Sequence, residues 1–282
     1  MERFTNDGYR FDVTDTPAAD GGRTGRACVL LHGFPEDRHC WDAVTPALTG
    51  AGYRVLAPDL RGYSAGARPT SRRAYTLSRL AGDVLALADA AGAERFHVVG
   101  HDWGAALAWY LAGRHPRRVI SLGALSVPHP EAFLRALAGS SQAVRSWYML
   151  AFQVPGLPEL ALSRRGGRAM RAALIRTGLD PANAGRYASR AADRAAMRGP
   201  LNWYRALPFG LRDRPDRIDV PTLFLWSDGD RFICRAAAEL CGRYVDGPYR
   251  FEVLGGASHW LPEETPEQVT ALLLQHFARV AK

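Results

Sequence analysis

The segment 98–104, VVGHDWG, constrains the fold of this chain more than any other part of it. Two apolar β-branched residues lead into a Gly-x-Asp-x-Gly turn, and the sequence AALAWY at 105–110 favours a helix. A strand, a tight turn and a helix in this order form an elbow that presents its central side chain at a strained position. The glycines around Asp102 allow the close packing that such a turn needs.

Aspartate at the centre of this elbow points to a particular chemistry. Elbows of this kind more often carry serine, whose activated hydroxyl attacks a carbonyl carbon. A carboxylate is already ionised at pH 7 and can attack a saturated carbon in line, which forms an alkyl ester that water must then cleave. Asp102 is therefore a candidate nucleophile for opening a strained or activated C–O or C–halogen bond. The turn alone also fits a helix N-cap, which is a common role for aspartate.

Short apolar runs alternate with helical patterns along most of the chain. Predicted strands cover 26–31, 53–58, 96–99, 119–125, 220–226 and 249–254, and predicted helices cover 41–48, 77–91, 236–245 and 266–280. This alternation predicts an α/β fold, in which a mostly parallel central sheet carries helices on both faces. Ligands then bind beyond the carboxyl ends of the strands, where both His32 and Asp102 are expected.

The alternation stops after Pro130. Residues 131–217 contain helical patterns with Gly and Pro interruptions and no convincing strand. We therefore predict one α/β core domain formed by 1–130 and 218–282. The insertion 131–217 is predicted to form a helical cap, or lid, across the active-site face.

Two later turns supply candidates for a histidine and its acid. WSDGD at 226–230 follows one predicted strand, and GGASHW at 255–260 follows the last one. Nucleophile, acid and histidine in this chain order are typical of a triad built around such an elbow. His259 would deprotonate the water that attacks the ester, and Asp230 would orient its imidazole. Asp228 is the alternative acid, and the aspartate that is not used would serve as a turn residue.

Backbone and phenol donors complete the predicted site. The turn HGFP at 32–35 follows a predicted strand, so the backbone N–H groups of Phe34 and Trp103 are predicted to form an oxyanion hole. Within the insertion, Tyr148 and Tyr204 lie in segments rich in aromatic residues. A neutral phenol can donate a hydrogen bond to an oxygen that gains negative charge. Each tyrosine taken alone would be an amphipathic packing residue.

Taken together, these segments resemble the epoxide hydrolases of the α/β-hydrolase fold. The matching segments are HGFP at 32–35, GHDWG at 100–104, FQVPG at 152–156, GPLNWYR at 199–205, and the acid and histidine positions. The resemblance implies that Asp102 opens an epoxide while Tyr148 and Tyr204 polarise its oxygen. It further implies that His259 and Asp230 then drive hydrolysis of the ester to a vicinal diol, without a cofactor or metal. The residues expected to contact substrate are His32, Pro35, Trp147, Phe152 and Trp203.

Two other functions fit parts of the pattern. A haloalkane or haloacid dehalogenase would use the same Asp102 ester. Haloalkane dehalogenases bind halide through the tryptophan after the nucleophile and often through an asparagine after His-Gly. Trp103 is present, but Phe34 occupies the asparagine position. A non-catalytic binding protein of this fold would make Asp102 or His259 dispensable.

Composition limits the partners we expect. The net charge is +8, and arginines cluster between Arg164 and Arg217, which indicates either an anion-binding face or, as we favour, a solvated helical surface. We expect an epoxide and water as partners, with no nucleic acid and no membrane. The N-terminus lacks an apolar signal region, and no run of about 20 apolar residues is present, so we expect a cytoplasmic location. The four cysteines are expected to be free thiols.

Overall fold

The short apolar runs of the sequence pair into one sheet in the computed structural model, which describes residues 1–19, 21, 26–210 and 214–280. Its strands are β1 (Arg3–Asn6), β2 (Tyr9–Thr16), β3 (Ala27–Leu31), β4 (Arg54–Pro58), β5 (Phe96–His101), β6 (Val119–Leu125), β7 (Thr222–Ser227) and β8 (Tyr249–Leu254). They are ordered β1-β2-β4-β3-β5-β6-β7-β8. Every neighbouring pair from β4 to β8 is parallel, which confirms the predicted fold class.

The hairpin of β1 and β2 at one edge of the sheet was absent from the sequence-based assignment. β2 pairs antiparallel with both β1 and β4. Its inward residues Phe11 and Val13 are buried, while the residues between and around them are partly exposed. A half-buried antiparallel strand near the edge of a sheet alternates apolar with polar residues. It therefore lacks the continuous apolar run that marks the central strands.

The register of the central strands brings their carboxyl ends together. Leu31 of β3 is paired with Gly100 of β5, and His101 of β5 is paired with Leu125 of β6. The turns that follow β3, β5 and β6 therefore emerge at the same edge of the sheet. This edge carries Asp102 and the HGFP turn.

The α-helices of the described residues lie mostly where the helical patterns were found. They are α1 (Thr45–Gly50), α2 (Leu77–Ala90), α3 (Trp103–Arg114), α4 (Pro130–Gly139), α5 (Gln142–Arg145), α6 (Trp147–Ala151), α7 (Leu157–Arg176), α8 (Pro181–Ala191), α9 (Arg194–Ala206), α10 (Arg235–Glu239), α11 (Leu261–Glu264) and α12 (Pro266–Val280). Two predicted helices were too long. Residues 41–48 divide between a 3₁₀ turn at Arg38–Trp41 and α1, and 236–245 divide between α10 and a 3₁₀ turn at Cys241–Tyr244.

The sheet separates two hydrophobic clusters. Successive residues of a strand point to opposite faces, so Val98 packs on the side of α2, α3 and α10, whereas Val99 packs on the side of α1, α11 and α12. The four cysteines are buried and free. Cys28 takes part in the second cluster as a small apolar residue.

Between β6 and β7, the described residues form α4 to α9 and contain no strand. α7 is interrupted at residues 164–167, where four consecutive residues have non-helical backbone angles. The indole of Trp203 in α9 donates to the carbonyl of Arg61 over 2.8 Å and so attaches this helical region to the core. These helices and their attachment to the core support the interpretation of 131–217 as a cap. Residues 211–213 of this range are outside the part of the chain that the structure describes.

Candidate active site

The turn between β5 and α3 holds Asp102 in a conformation that few residues with a side chain adopt. Its φ is 51° and its ψ is −119°. A Cβ atom at Gly100 would lie 2.1 Å from the carbonyl oxygen of Gly104, and one at Gly104 would lie 2.1 Å from that of Leu31. Both glycines are therefore required by the close approach of backbone segments, as in a strained elbow.

The carboxylate of Asp102 contacts both the HGFP turn and His259. The backbone N–H of Phe34 donates to Oδ1 over 2.8 Å, and Nε2 of His259 lies 3.6 Å from Oδ2. Burial opposes ionisation of this carboxyl, but the nearby positive charge of His259 and the hydrogen bond from Phe34 outweigh it, so the pKa of Asp102 lies below its usual value. Trp103 is the first residue of α3, so its N–H has no acceptor within the helix.

Asp230 is the carboxylate that contacts His259. Its Oδ2 lies 2.7 Å from Nδ1 of the imidazole, and its Oδ1 accepts the backbone N–H groups of Phe232 and Ile233 over 2.7 and 2.9 Å. Asp228, the alternative acid, instead accepts the backbone N–H of Gly256 over 2.7 Å at an exposed position. It therefore serves the turn after β7.

The imidazole of His259 lies between two carboxylates. Burial by itself would lower its pKa, but the charge of Asp230, the hydrogen bond to Asp230 and the nearby charge of Asp102 outweigh burial and raise that pKa to about 10. In the free protein at neutral pH, His259 is therefore an imidazolium.

A buried polar group behind the triad was not found by sequence reasoning. The backbone carbonyl of His259 accepts from Oγ of Ser126 over 2.7 Å and lies 2.8 Å from Nε2 of His101. Nδ1 of His101 lies 2.7 Å from Glu36, which also accepts the N–H of Gly33 over 2.7 Å. The sequence did carry a signal for this group, because Glu36 directly follows the HGFP turn and His101 lies inside the GHDWG turn. The group ties the HGFP turn to the loop that carries His259.

Asp102 opens into a cavity of about 660 Å³. Tyr148 and Tyr204 line the same cavity, with ring centroids 6.0 Å apart. Burial raises the pKa of both phenols, and the charge of Asp102 adds to the effect. Both phenols therefore keep their protons and remain hydrogen-bond donors. The rest of the wall is mainly apolar and includes Leu77, Ala106, Val127, Phe133, Leu134, Leu137, Met149, Leu150, Leu207 and Phe232.

The five residues predicted to contact substrate lie off this wall. His32 is fully buried, accepts the N–H of Leu60 at Nε2 over 3.0 Å, and has its pKa lowered by burial, so it is a neutral structural residue of the HGFP turn. Pro35 belongs to the same turn, after the cis Phe34–Pro35 bond. Neither lines the cavity, because the turn presents its backbone to Asp102.

The three predicted contacts from the cap form its packing or its outer surface. Phe152 packs edge-on against Tyr204, with ring centroids 5.0 Å apart. Trp203 is buried against Trp103 at 5.8 Å. Trp147 is 67% exposed and is not one of the residues that line the cavity. On a helix one residue separates inward from outward positions, so Tyr148 and Met149 line the cavity where Trp147 does not.

Buried ties join the two cap segments that carry the tyrosines. The guanidinium of Arg205 forms a bidentate pair with Glu159 over 2.6 and 2.9 Å and donates to the carbonyls of Phe152 and Val154. The side-chain amide of Gln153 donates to the carbonyl of Tyr204 over 2.9 Å. These contacts hold the FQVPG and GPLNWYR segments together.

The fold and this site define a hydrolase of the α/β-hydrolase type, and comparison with known proteins agrees. The sequence model of the alpha/beta hydrolase fold family matches residues 27–266. The chain therefore belongs to the α/β-hydrolase fold family. Among the described residues, no group of three or more His, Cys, Asp or Glu side chains is placed to hold a metal ion.

Individual relatives narrow this family. Epoxide hydrolase A of Mycobacterium tuberculosis is 35% identical, over 91% of this chain and 92% of its own length. The AB hydrolase superfamily protein YfhM of Bacillus subtilis is also 35% identical, over 94% of each chain. The crystal structure of epoxide hydrolase A from Mycobacterium thermoresistibile superposes with a TM-score of 0.80 at 29% identity, covering 98% of this chain and 97% of that one. The resemblance to epoxide hydrolases stated from the sequence is thereby confirmed.

Proposed function

We propose that this enzyme converts an apolar epoxide to a vicinal diol through a covalent ester on Asp102. The observation that carries the proposal is the placement of an ionised carboxylate and two neutral phenols on the wall of one apolar cavity. A nucleophile and two hydrogen-bond donors are the groups that opening of a strained C–O bond requires. The names of the relatives support the same reaction class.

In the first half-reaction, Tyr148 and Tyr204 bind the epoxide oxygen. Oδ2 of Asp102 attacks a ring carbon, because Oδ1 is already held by the N–H of Phe34. The new ester bond forms as the ring C–O bond breaks, and the alkoxide takes a proton from one of the phenols. Oδ1 becomes the carbonyl oxygen of the ester and stays in the oxyanion hole.

In the second half-reaction, His259 acts as the base. Esterification removes the charge of Asp102, which is one of the groups that hold the imidazole protonated. The pKa of His259 then falls, so the imidazolium gives its proton through solvent to the phenolate that ring opening left behind. The neutral imidazole can then take a proton from the water that adds to the ester carbonyl. The N–H groups of Phe34 and Trp103 stabilise the resulting oxyanion. Collapse breaks the bond between the ester carbonyl carbon and the substrate oxygen, which takes the hydroxyl proton of the intermediate and leaves as the diol. Asp102 is then again a carboxylate and His259 again an imidazolium.

Mass spectrometry of a trapped ester tests this proposal. We expect His259→Gln protein incubated with styrene oxide to gain the mass of one styrene oxide on the peptide that contains Asp102. The same protein with the further change Asp102→Asn should gain none. Adding both Tyr148→Phe and Tyr204→Phe to the His259→Gln protein should slow ester formation by about 100-fold or more, since loss of one such donor costs about 10²–10³-fold in rate.

Parallel incubation with 1-bromobutane separates the alternatives. An ester formed only from 1-bromobutane, with release of bromide, would identify a dehalogenase. Absence of any ester from either compound, or an ester on another residue, would contradict the assignment of Asp102 as the nucleophile. Normal turnover by His259→Gln would contradict the assignment of the base.

A further inference from the structure

Large apolar side chains are exposed in a row along the cap. Of the twelve large apolar residues exposed in the described part of the chain, half lie within residues 144–160. Successive members are three or four positions apart, so neighbours within a helix share one side of it. We call this row the apolar ridge; it consists of Val144, Trp147, Leu150, Val154, Leu157 and Leu160. A clustered apolar surface of this kind marks a site of interaction rather than ordinary surface composition.

The positive charge of the protein is concentrated in the same region. Residues 131–217 contain fifteen arginines and six acidic residues, a formal charge of +9, whereas the whole chain carries +8 and the remainder therefore −1. Arg164 and Arg165 follow the apolar ridge at the interruption of α7, Arg168 and Arg171 lie just beyond it, and all four are exposed. Arg168, Arg171 and Arg176 together line one surface depression with Ile175. This grouping of guanidinium groups is suited to binding phosphate.

From these two features, and in place of the solvated surface without a membrane partner expected from the sequence, we infer that the cap face adsorbs to the surface of an anionic phospholipid membrane. The apolar ridge would enter the boundary between headgroups and acyl chains, while the arginines of α7 bind lipid phosphates. Exposed apolar residues that include tryptophan, next to a basic surface, form the combination by which peripheral proteins bind anionic bilayers.

The charge distribution favours a membrane over a second copy of this chain. A symmetric dimer through the cap would place the same surface of both copies face to face. Two regions of formal charge +9 would then repel each other. An anionic bilayer instead supplies apolar depth for the ridge and negative charge for the arginines.

Adsorption through this face would place the cavity beside the bilayer. Leu150 belongs to the apolar ridge and also lines the cavity, as do its neighbours Met149 and Ser146. A lipophilic epoxide dissolved in the membrane could then reach Asp102 without crossing much water. This extension to the substrate class depends on the proposed function, whereas adsorption itself does not.

Adsorption would be peripheral, because no helix among the described residues is long and apolar enough to cross a membrane. Binding held largely by charge must weaken as salt screens it. We therefore expect the full chain to co-sediment with vesicles of phosphatidylcholine and phosphatidylglycerol at 3:1 in low salt. Binding should fall at least tenfold in 500 mM NaCl, and also on vesicles of phosphatidylcholine alone.

Two variants test the two halves of the surface. Arg164→Gln/Arg165→Gln/Arg168→Gln should weaken partitioning by about 100-fold, since each basic residue near an anionic surface contributes about a factor of five. Leu157→Ser/Leu160→Ser should weaken it by about tenfold or more through loss of buried apolar area. Neither variant changes a residue of the cavity wall.

Matched control variants remove arginine charges, or an exposed apolar side chain, from the core instead of the cap. Arg95→Gln/Arg117→Gln/Arg243→Gln alters three exposed arginines of the core, and Val253→Ser alters an exposed apolar residue of the core. Both controls should partition like the unmodified protein, although the first removes the same number of charges.

Three outcomes would overturn the inference. The first is an absence of binding to the 3:1 vesicles in low salt. The second is binding that the cap variants and the core controls weaken equally, which would reflect net charge alone. The third is a concentration-dependent dimer, seen by light scattering and abolished by Leu157→Ser/Leu160→Ser, which would assign the ridge to a second copy. Because no epoxide is present in these assays, the result is independent of the proposed catalytic activity.

Discussion

At the scale of single residues, the site depends on how three charged groups share one buried space. His259 is an imidazolium in the free protein because Asp230 and Asp102 lie on either side of it. The same pairing keeps Asp102 ionised despite burial. In the proposed mechanism, the ionised Asp102 is the form that the first half-reaction requires, and formation of the ester lowers the pKa of His259 so that it can act as the base of the second.

The raised pKa of His259 predicts how stability depends on pH. A histidine titrates near pH 6.5 in the unfolded chain and at about 10 in the folded protein. Its protonation therefore contributes stability that is fully present below pH 6.5 and is lost as the pH rises towards 10. We expect the unmodified protein to lose stability relative to His259→Gln across this range, as measured by urea unfolding at pH 6, 8 and 10.

Asp230→Asn provides the control for this prediction. This substitution removes the charge that does most to raise the pKa of His259. The difference in unfolding free energy between Asp230→Asn and the double variant Asp230→Asn/His259→Gln should therefore depend much less on pH. A difference between unmodified protein and His259→Gln that stays constant from pH 6 to 10 would contradict the assigned charge state.

At the scale of elements, one buried arginine makes most of the polar contacts that join the two cap helices carrying the tyrosines. Arg205 on α9 binds Glu159 at the start of α7 and the carbonyls of the turn between α6 and α7. Tyr204 precedes it, and Tyr148 lies on α6. The separation of the two phenols therefore depends on a buried ion pair distant from the reacting atoms.

We expect Arg205→Met to destabilise the protein by about 3–5 kcal/mol, because it leaves the carboxylate of Glu159 buried without a partner. It should also slow ester formation on Asp102, because the phenols lose their common alignment. Urea unfolding and the trapping assay with styrene oxide measure the two effects. The double variant Arg205→Met/Glu159→Leu removes both charges and should recover most of the stability.

An exposed ion pair gives the matched comparison. Arg3 pairs with Asp12 over 3.0 Å at the outer edge of the sheet, where Arg3 is largely exposed. Arg3→Met should cost less than about 1 kcal/mol and leave ester formation unchanged. Equal effects of the two arginine substitutions would argue against a positioning role for Arg205.

At the scale of the whole molecule, a polar contact between cap and core joins two regions that are far apart in sequence. The phenol of Tyr187 on α8 donates to Oε1 of Glu263 on α11 over 2.8 Å. The other carboxyl oxygen, Oε2, is shielded from solvent and has no hydrogen-bond partner. Burial, with the nearby charge of Glu36, raises the pKa of Glu263 well above its usual value.

The raised pKa of Glu263 predicts that neutralising this carboxyl stabilises the protein, whereas breaking the Arg205–Glu159 pair destabilises it. A carboxyl whose pKa is raised by folding favours the folded state below the unfolded pKa and loses that contribution as the pH rises. We expect Glu263→Gln to be more stable than the unmodified protein at pH 7 and above, with the advantage shrinking as the pH falls from 7 towards about 4.5 and absent below that. The amide oxygen can still accept from Tyr187.

Thermal unfolding across this pH range measures the effect, with Glu94→Gln as an exposed control that should show little change. Destabilisation by Glu263→Gln at pH 7 would indicate that the carboxylate is charged and paired in the folded protein.

Much of this molecule could be predicted from local sequence. The central strands and α12 are recognisable because continuous apolar runs and a 3.6-residue period each need only neighbouring residues to be read. Asp102 and His259 are recognisable because an elbow and a chain order are also local patterns. The β1–β2 hairpin escaped this reasoning, since an edge strand alternates polar with apolar residues.

The sequence by itself determined the α/β class, and it singled out Asp102, His259, Tyr148 and Tyr204 as the candidate site residues, because each is marked by residue type and spacing along the chain. Only the tertiary structure decided which aspartate pairs with His259, which cap residues face the cavity, and that Glu36, His101 and Ser126 support the triad. It also decided that the apolar ridge is exposed rather than buried. These outcomes depend on distances between segments far apart in sequence, and on helix rotation, in which a shift of one residue exchanges an inward side chain for an outward one.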